Sequence, residues 1–285
     1  MKISIITTCF NCEKYIAETL ESVLSQKGSF ELEYIIIDAA SEDNSLRIIS
    51  AHEERLKHGC YGENPSIEMK VISEKDNGMY EGITKGFQMA TGEIIAYLNA
   101  DDFYFPHAFE FVVSIFKKYP QVLWLCGRQC TTDEKGNIVF NRLPFEYDNK
   151  GILNGYYGRQ LPFIQQETTF WRRSLMNDFD YKQFASFKLA GDFYLWWFFA
   201  HKTSLYIADT FLAAARTRPG QLSERINQYR KEMEILSGSE TNSLRKRFYF
   251  WRQRHLWRKK EKYKYTHTDK IIFYSKKKGW HLSEK

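Results

Sequence analysis

The first half of the chain alternates between short apolar runs and longer segments in which apolar residues follow a helical spacing. The apolar runs predict buried strands over residues 3–7, 34–37, 69–73, 94–98 and 122–126. Apolar residues three or four positions apart predict helices over residues 14–26, 44–56, 79–90 and 106–119, the last opened by Pro106. Such alternation is typical of an α/β fold with a mostly parallel sheet flanked by helices.

The pattern loosens in the second half. Short β-like pieces at 138–140 and 205–209 surround a predicted aromatic helix over 192–201, and another helix is predicted over 221–236. The turn Ser237-Gly238-Ser239 then separates this region from a basic, aromatic segment. We therefore expect one large domain over residues 1–236 and a helical C-terminal extension over 237–285.

The C-terminal extension concentrates the positive charge. The net charge is +6, but residues 244–285 hold 15 Lys and Arg against 3 Asp and Glu, while the remainder is acidic. Cations alternate with aromatic residues in RKRFYFWRQRHLW. Two interpretations stay open, namely a helix packed on the body and a helix that binds an anionic membrane surface. Nucleic-acid binding is a third, less favoured interpretation, and we expect no nucleic-acid partner.

The chain also lacks sequence signals for membrane insertion. No apolar run approaches the ~20 residues of a spanning helix, and the N-terminus becomes polar too early for a signal peptide. We expect a cytoplasmic protein, which would lie peripherally on the inner face of the plasma membrane if its extension binds lipid.

The cysteines permit a metal or redox site without requiring one. Cys9 and Cys12 form a C-x-x-C between a predicted strand and helix, and Cys126 and Cys130 lie in a β-like stretch. Four thiolates could hold zinc, and the first pair could be redox-active. The wider second spacing argues against zinc, and the position after the first strand argues against a thioredoxin-like pair. We expect ordinary reduced cysteines.

Carboxylates stand where predicted strands end. Asp38 follows the second strand, and Asp101 and Asp102 follow the fourth. Ligands of parallel sheets bind beyond these carboxyl ends. The chain has no G-x-G-x-x-G or G-x-x-x-x-G-K-[ST] motif, which disfavours a nicotinamide dehydrogenase or a P-loop NTPase. A divalent cation held by carboxylates could instead neutralise a diphosphate, although Asp102 could also cap the next helix.

Five segments in order resemble one known family. They are SIITTCFN at 4–11, IIIDAASED at 35–43, SEKDNGMY at 73–80 with ATGE at 90–93, LNADD at 98–102, and QQETTFWRR at 165–173 with AGD at 190–192. Together they resemble family 2 glycosyltransferases, which have the GT-A fold, a Rossmann-like, mostly parallel sheet flanked by helices. The resemblance covers about residues 1–230, with a nucleotide-sugar half over 1–127 and an acceptor half over 128–236.

The resemblance implies an inverting hexosyltransferase that uses Mn²⁺ or Mg²⁺. Its donor would be a nucleotide-sugar, with a UDP-sugar favoured, and its acceptor a glycan or lipid-linked molecule in bacterial surface polysaccharide synthesis. By the same resemblance, Asp102 coordinates the metal, Asp101 contacts the ribose or shares the metal, and Asp192 is the general base. Asp192 could also simply be a helix N-terminal aspartate.

Further substrate contacts are implied by position within these motifs. They are Thr8, Phe10, Asn11, Asp38 and Asp76 for the nucleotide-sugar, Gln166 and Glu167 for the donor sugar or acceptor, and Arg172 for phosphate. Turn formation, helix capping and plain solvation are the alternatives for Asp38, Asp76 and Arg172. Ala39-Ala40 departs from the family's Gly-Gly or Asp-Gly, which leaves the nucleotide base open.

Two rival functions remain at this stage. A metal-dependent nucleotidyltransferase would usually carry a Gly-rich, basic first loop, which TTCFNCEKY is not. A non-catalytic membrane- or nucleic-acid-binding protein with a degenerate transferase fold would have no need for Asp101, Asp102 and Asp192 together. We therefore favour the glycosyltransferase.

Overall fold

The computed structural model describes residues 1–62, 66–238 and 244–284. The strands are β1 (Lys2–Cys9), β2 (Glu31–Asp38), β3 (Ile67–Ser73), β4 (Ile94–Asn99), β5 (Phe103–Tyr104), β6 (Trp124–Cys126), β7 (Gln129–Thr132), β8 (Ile138–Arg142), β9 (Thr169–Arg172), β10 (Tyr206–Ala208), β11 (Ala213–Arg216), β12 (Ile271–Ser275) and β13 (Gly279–Leu282). The α-helices are α1 (Ile16–Leu24), α2 (Ser45–Lys57), α3 (Met79–Met89), α4 (Ala108–Lys118), α5 (Asn149–Leu153), α6 (Tyr181–Ser186), α7 (Gly191–Ala200), α8 (Ile226–Ser237), α9 (Leu244–Trp257) and α10 (Glu261–Tyr265). Short 3₁₀ helices span Gln166–Thr168, Arg173–Met176 and Leu222–Glu224.

The main sheet has the strand order β13-β12-β10-β6-β9-β4-β1-β2-β3 within the described residues. Strands β1 to β4 pair in parallel, whereas β9 runs antiparallel between β4 and β6. Apolar side chains of β1, β2 and β4 are buried on both faces of the sheet, which is why these strands read as unbroken apolar runs. This architecture confirms the predicted α/β fold with a mostly parallel sheet flanked by helices.

The register of the parallel strands brings their carboxyl ends to one edge. Cys9 lies opposite Asp38, Asp38 lies opposite Ser73, and Thr8 lies opposite Asn99. The residues that follow these strands therefore meet in one place. We call this the carboxyl edge of the sheet.

A smaller sheet extends from this edge. Its strand order is β5-β11-β7-β8, with β11 antiparallel to β5 and parallel to β7. Strand β5 begins directly after Asp102. Because β11 pairs with Phe103 and Tyr104 of β5, the end of β11 lies close to the two aspartates. The smaller sheet is thus the support that lies against the end of β4.

Helix α7 is held by an aromatic core. The helix is apolar on all sides, as expected of a buried helix. The Trp196 ring stacks on Trp124 at 5.4 Å between ring centroids, and Phe199 packs on Trp171 at 5.5 Å. These contacts anchor α7 on β6 and β9 and thereby position Asp192 in its first turn.

The predicted start of the fourth helix is wrong. Helix α4 begins at Ala108 and not at Pro106, because His107 adopts a left-handed conformation with φ 64°. A residue in that conformation interrupts a right-handed helix, so the chain turns after the proline before the helix starts.

The C-terminal extension is partly strand. It is helical in α9 and α10, as the sequence predicted, and then forms a hairpin in which β12 pairs with β10 and β13 with β12. Residues 239–243 and 285 of the predicted extension lie outside the described residues. No helix in the described ranges has both the length and the apolarity to cross a membrane.

Candidate active site

The aspartate pair lies at the carboxyl edge, beneath the end of β11. The Asp102 side chain is buried, at 3% exposure. Its Oδ1 accepts a hydrogen bond from the Arg216 backbone N–H at 2.8 Å, and its Oδ2 accepts one from Asn99 Nδ2 at 3.1 Å. Burial, with the nearby charges of Glu167 and Asp101, raises the pKa of Asp102 well above its usual range. The Asp102 carboxyl group is therefore held in place by one backbone donor and one amide donor.

Asp101 has direct cationic support. Its Oδ2 accepts hydrogen bonds from Arg218 Nε at 2.8 Å and from Gln221 Nε2 at 3.2 Å. Arg216 is itself 3% exposed and donates from Nε to the Asp101 carbonyl at 2.9 Å. Arg216, Arg218 and Gln221 were missed by the sequence analysis. The only signal was the polar stretch RTRPGQ directly after an alanine-rich strand.

Asp192 occupies a different environment. It lies in the first turn of α7, yet the N-cap position is Ala190, so Asp192 is not the capping residue. Its Oδ1 accepts hydrogen bonds from Tyr229 Oη at 2.9 Å and from the Phe193 backbone N–H at 2.8 Å. Burial raises the pKa of Asp192 to about 6, although these hydrogen bonds oppose the rise.

Helix α8 fixes the loop in front of Asp192. Glu232 Oε2 accepts hydrogen bonds from the backbone N–H groups of Leu189 and Ala190, each at 2.9 Å. Tyr229 lies one turn earlier on the same helix and reaches Asp192. Both residues were missed by the sequence analysis, because nothing local in the predicted helix 221–236 indicates where its polar side chains point.

Glu167 lies close enough to both aspartate sites for their charges to affect its pKa. Burial raises the pKa of Glu167 to about 7, and the charges of Asp192 and Asp101 contribute to the rise. Since Glu167 also acts on Asp102, the four acidic side chains share one electrostatic environment. We call Asp101, Asp102, Glu167 and Asp192 the carboxylate cluster. The neighbouring Gln166 is buried and donates from Nε2 to the Tyr97 carbonyl, which ties the cluster to β4.

Asp38 is buried at the end of β2. Its carboxylate accepts hydrogen bonds from the Ser41 backbone N–H at 3.0 Å, from Ser73 Oγ at 2.6 Å and from Ser41 Oγ. These hydrogen bonds fit the turn-forming role of Asp38, which the sequence gave as the alternative to nucleotide binding. Ala40, in the place of a family glycine, has the left-handed φ of 57°. The turn thus keeps the glycine-type conformation without a glycine.

The remaining nucleotide-contact candidates border the same edge. Asn11 Oδ1 accepts a hydrogen bond from the Glu42 backbone N–H at 2.9 Å, which joins the loops after β1 and β2. Phe10 in that loop is 59% exposed. A Cβ atom on Gly82 of α3 would lie 3.1 Å from both Thr8 Cγ2 and Asp76 Oδ2, so these two side chains face the same glycine.

Arg172 is not brought to this edge. It pairs with Ile94, the first residue of β4, because β9 runs antiparallel to that strand. Its guanidinium donates to the carbonyls of Phe116 at 2.5 Å and Val122 at 3.1 Å, and burial lowers its pKa. The structure therefore assigns Arg172 to the end of α4 at the opposite edge of the sheet, away from the expected phosphate.

The donor atoms at Asp102 suit a hard divalent cation. Across residues 1–62, 66–238 and 244–284, no group of three or more His, Cys, Asp or Glu side chains could hold a metal. Mg²⁺ and Mn²⁺ do not require such a cage, because they bind one or two carboxylates together with substrate phosphates. Beside Asp102, the buried Asn99 Oδ1 accepts no hydrogen bond from the described residues. An amide oxygen left in this way, next to clustered carboxylates, fits a cation completed by a ligand.

Solved structures share the fold. Staphylococcus aureus TarS in complex with UDP-GlcNAc aligns with a TM-score of 0.53 and 17% identity over 93% of this chain and 70% of that chain. A mannosyltransferase from Pyrobaculum calidifontis in complex with GDP-Man and Mn²⁺ aligns with a TM-score of 0.53 and 13% identity over 89% of this chain and 69% of that chain. These likenesses establish the GT-A architecture.

Sequence relatives identify the family. Chondroitin synthase from Escherichia coli is 30% identical over 139 residues, which are 49% of this chain and 19% of that protein. The chain spans between 19% and 39% of the length of the first curated relatives that it matches. The family model for glycosyl transferase family 2 matches residues 4–181. Since that match covers more than half of the chain, the protein belongs to glycosyl transferase family 2.

Proposed function

We propose that this protein is an inverting, metal-dependent hexosyltransferase. It moves a sugar from a UDP-sugar to a glycan or lipid-linked acceptor in bacterial surface polysaccharide synthesis, on the cytoplasmic side of the membrane. The observation that carries the proposal is the carboxylate cluster, in which two kinds of acidic site adjoin Glu167. At the first site, arginines support Asp101 and Asp102. At the second site, Asp192 accepts hydrogen bonds from neutral donors and has a pKa of about 6.

The arginine-supported site serves the leaving diphosphate. Asp102 would hold Mn²⁺ or Mg²⁺, with Asn99 Oδ1 as a further oxygen donor, and Asp101 would contact the ribose or share the cation. The bound cation offsets the negative charge of the diphosphate. Arg216 and Arg218 keep the two aspartates oriented. The guanidinium of Arg218 also places a positive charge on the side of the site where phosphate charge would accumulate.

The nucleoside lies along the carboxyl edge of β1 to β3. Thr8, Phe10, Asn11, Asp38 and Asp76 form its contacts. Phe10 is exposed beside a strand end and suits stacking on a base. Asp38 keeps the loop after β2 closed through Ser41 and Ser73, so its contribution is to shape the pocket as well as to contact the nucleotide.

Asp192 is the general base. As the acceptor oxygen bonds to the anomeric carbon and the bond to the diphosphate breaks, the acceptor hydroxyl proton passes to the Asp192 carboxylate. With a pKa of about 6, this carboxylate is mostly ionised at neutral pH and still basic enough to take the proton. Gln166 and Glu167 face the donor sugar or the acceptor, between the two sites.

The relatives support the substrate classes. The TarS structures contain UDP-GlcNAc or UDP, which favours a UDP-sugar, whereas the mannosyltransferase structure contains GDP-Man together with Mn²⁺. Chondroitin synthase favours a role in polysaccharide synthesis.

Thermal unfolding in the presence of nucleotides tests the donor site. We would measure the protein with UDP, GDP, dTDP and CDP, each with and without Mn²⁺, and compare it with Asp102→Asn and Asp178→Asn. Asp178 is exposed and already has a left-handed φ of 62°, which asparagine tolerates, so it is the matched control.

We expect one nucleotide, UDP, to raise the melting temperature only with Mn²⁺. The shift should vanish in Asp102→Asn and persist in Asp178→Asn. If a folded protein shows no shift with any nucleotide, the donor site is refuted, and a non-catalytic binding protein on a transferase fold becomes the better explanation.

A further inference from the structure

Helix α9 has two different faces. Its inner face packs on the body, where the Trp257 ring lies 5.1 Å from Tyr147 and Tyr249 Oη donates to Asp148. Phe250 packs on Tyr156 at 4.8 Å between ring centroids. These contacts confirm that aromatic residues of the extension pack on the core. They leave the opposite face of the helix to be explained.

The outer face exposes large apolar side chains. Leu244 is 81% exposed, Phe248 64% and Trp251 63%, and their spacing of four and three residues places them on one side of the helix. The Phe248 and Trp251 rings stack at 5.8 Å, and Trp251 stacks on His255 at 5.9 Å. A contiguous aromatic patch exposed to water usually marks a binding surface.

Arginines surround this patch. A shallow groove of about 430 Å³ is lined by Arg247, Phe250, Trp251, Arg254, His255 and Arg258. Arg252 lies beside Trp251 and is exposed as well. Within the described part of the chain, none of these arginines is in an ion pair with a carboxylate. The patch therefore combines apolar rings with uncompensated positive charge. Its partner should have an apolar interior beneath a negatively charged surface.

We propose that the outer face of α9 docks on the surface of an anionic lipid bilayer. Phe248 and Trp251 enter the interface between headgroups and acyl chains, where tryptophan is favoured. Arg247, Arg252 and Arg254 contact lipid phosphates, and the helix lies in the plane of the surface. The inner face stays on the protein, so the helix need not leave the body to bind.

The same loop contacts both α9 and the candidate active site. Tyr156 packs on Tyr249 and Phe250 of α9. Further along this loop, Phe163 packs on Tyr229 at 5.4 Å, and Tyr229 donates to Asp192. The loop beneath the proposed bilayer-binding helix thus also contacts a residue hydrogen-bonded to the general base, at which a lipid-linked acceptor would react. That consequence rests on the proposed function, whereas bilayer binding does not.

Vesicle co-sedimentation of the full chain tests the proposal. We would compare vesicles of phosphatidylglycerol and phosphatidylcholine with vesicles of phosphatidylcholine alone. We expect binding to the anionic vesicles, weakened by salt, and at least tenfold weaker binding for Phe248→Ala/Trp251→Ala and for Arg247→Gln/Arg254→Gln. All four side chains are exposed, although Arg254 Nη2 also donates to the Gln160 carbonyl at 3.4 Å, so the variants should stay close to the melting temperature of the parent protein.

Two matched controls use exposed residues elsewhere. Lys276→Gln/Lys277→Gln removes the same charge from the turn between β12 and β13, and Val139→Ala/Phe140→Ala removes exposed apolar surface from β8. Both controls should bind vesicles as the parent does. Equal losses in controls and α9 variants would overturn the proposal, because binding would then follow net charge or general hydrophobicity.

Other occupants of the face give distinct results. Absence of binding to anionic vesicles, or tighter binding to single-stranded RNA that the α9 variants abolish, would refute a bilayer partner. A dimer in light scattering that dissociates in Phe248→Ala/Trp251→Ala would assign the face to a second copy of the chain. The nucleotide-dependent melting shift should persist in all α9 variants, so loss of vesicle binding and loss of the donor site are separate outcomes.

Discussion

Buried carboxylates at the two edges of the main sheet have opposite properties. Near the amino edge, Glu33 of β2 accepts hydrogen bonds from Ser4, from the Thr91 backbone N–H and from Lys70. Burial alone would raise its pKa, but these donors lower it to about 2. At the carboxyl edge, burial raises the pKa of Glu167 to about 7 and that of Asp192 to about 6.

The difference lies in the donors that surround each group. Glu33 has two lysines within 3.4 Å and several N–H and hydroxyl donors, so it stays ionised and fastens β1, β2 and the loop before β4. At the carboxyl edge, burial instead disfavours the charged forms of Asp102, Glu167 and Asp192, and neighbouring acidic charges add to this effect at Asp102 and Glu167. The same residue types therefore stabilise the fold at one edge and are available for proton and cation chemistry at the other.

The largest expected effect is on turnover. Asp192→Asn removes the proposed base, and we expect kcat to fall by about 10²–10⁴-fold, with an unchanged nucleotide-dependent melting shift. Steady-state kinetics with the donor identified by thermal unfolding would measure it. Glu167→Gln is the comparison, because its pKa near 7 makes it the rival base. Full activity in Asp192→Asn together with a severe loss in Glu167→Gln would transfer the role to Glu167.

A large effect on stability is expected at the other edge. Above its unfolded pKa of about 4.5, Glu33 is ionised in both states, and its lowered pKa in the folded protein contributes stability. We expect Glu33→Gln to lower the free energy of unfolding by roughly 2–3 kcal/mol at pH 7. The difference should shrink as pH falls from about 4.5 to about 2, because Glu33 then becomes protonated in both states.

Urea unfolding at several pH values would measure this difference. Glu31→Gln, on an exposed position of the same strand, is the control and should change little. A pH-independent loss in Glu33→Gln would mean that shape and not charge holds this edge together.

A smaller effect is expected on the pKa of the proposed base, Asp192. Tyr229→Phe removes the hydrogen bond to Asp192 Oδ1, so the pKa of Asp192 should rise above about 6. Because the base must be ionised, kcat/KM should fall by up to about tenfold at pH 6 and less at pH 8. A pH–rate profile would show the acidic limb displaced to higher pH. Tyr274→Phe, on exposed β12, should leave the profile unchanged, and an equal loss at all pH values in Tyr229→Phe would indicate only a structural role.

The smallest effect concerns the turn after β2. Ala40 has φ 57°, a conformation that costs a non-glycine residue about 1 kcal/mol or more. Ala40→Gly should therefore stabilise the protein by roughly 0.5 kcal/mol, after the greater entropy of glycine in the unfolded chain is subtracted. Thermal unfolding would detect it against Ala39→Gly, which should destabilise. A loss of stability in Ala40→Gly would show that the turn carries no strain.

Much of the donor edge could be predicted from the sequence. Strands β1 to β4 and the helices between them follow from apolar runs and helical spacing, which are local properties of the chain. Because parallel strands end at one edge, the positions of Asp38, Asp101 and Asp102 beside it also followed from the order of elements. Asp192 was singled out only through resemblance to the family.

Tertiary structure alone decided what surrounds these residues. Arg218 reaches Asp101 from 117 positions away and Tyr229 reaches Asp192 from 37, distances that no local pattern records. The antiparallel insertion of β9 sends Arg172 to the opposite edge, although Arg172 and Glu167 lie in the same sequence motif. Likewise, the sequence alone could not distinguish the exposed side of α9 from its buried side, because aromatic residues occur on both sides. Periodicity identifies elements, but the direction and neighbours of a side chain depend on strand order, register and packing.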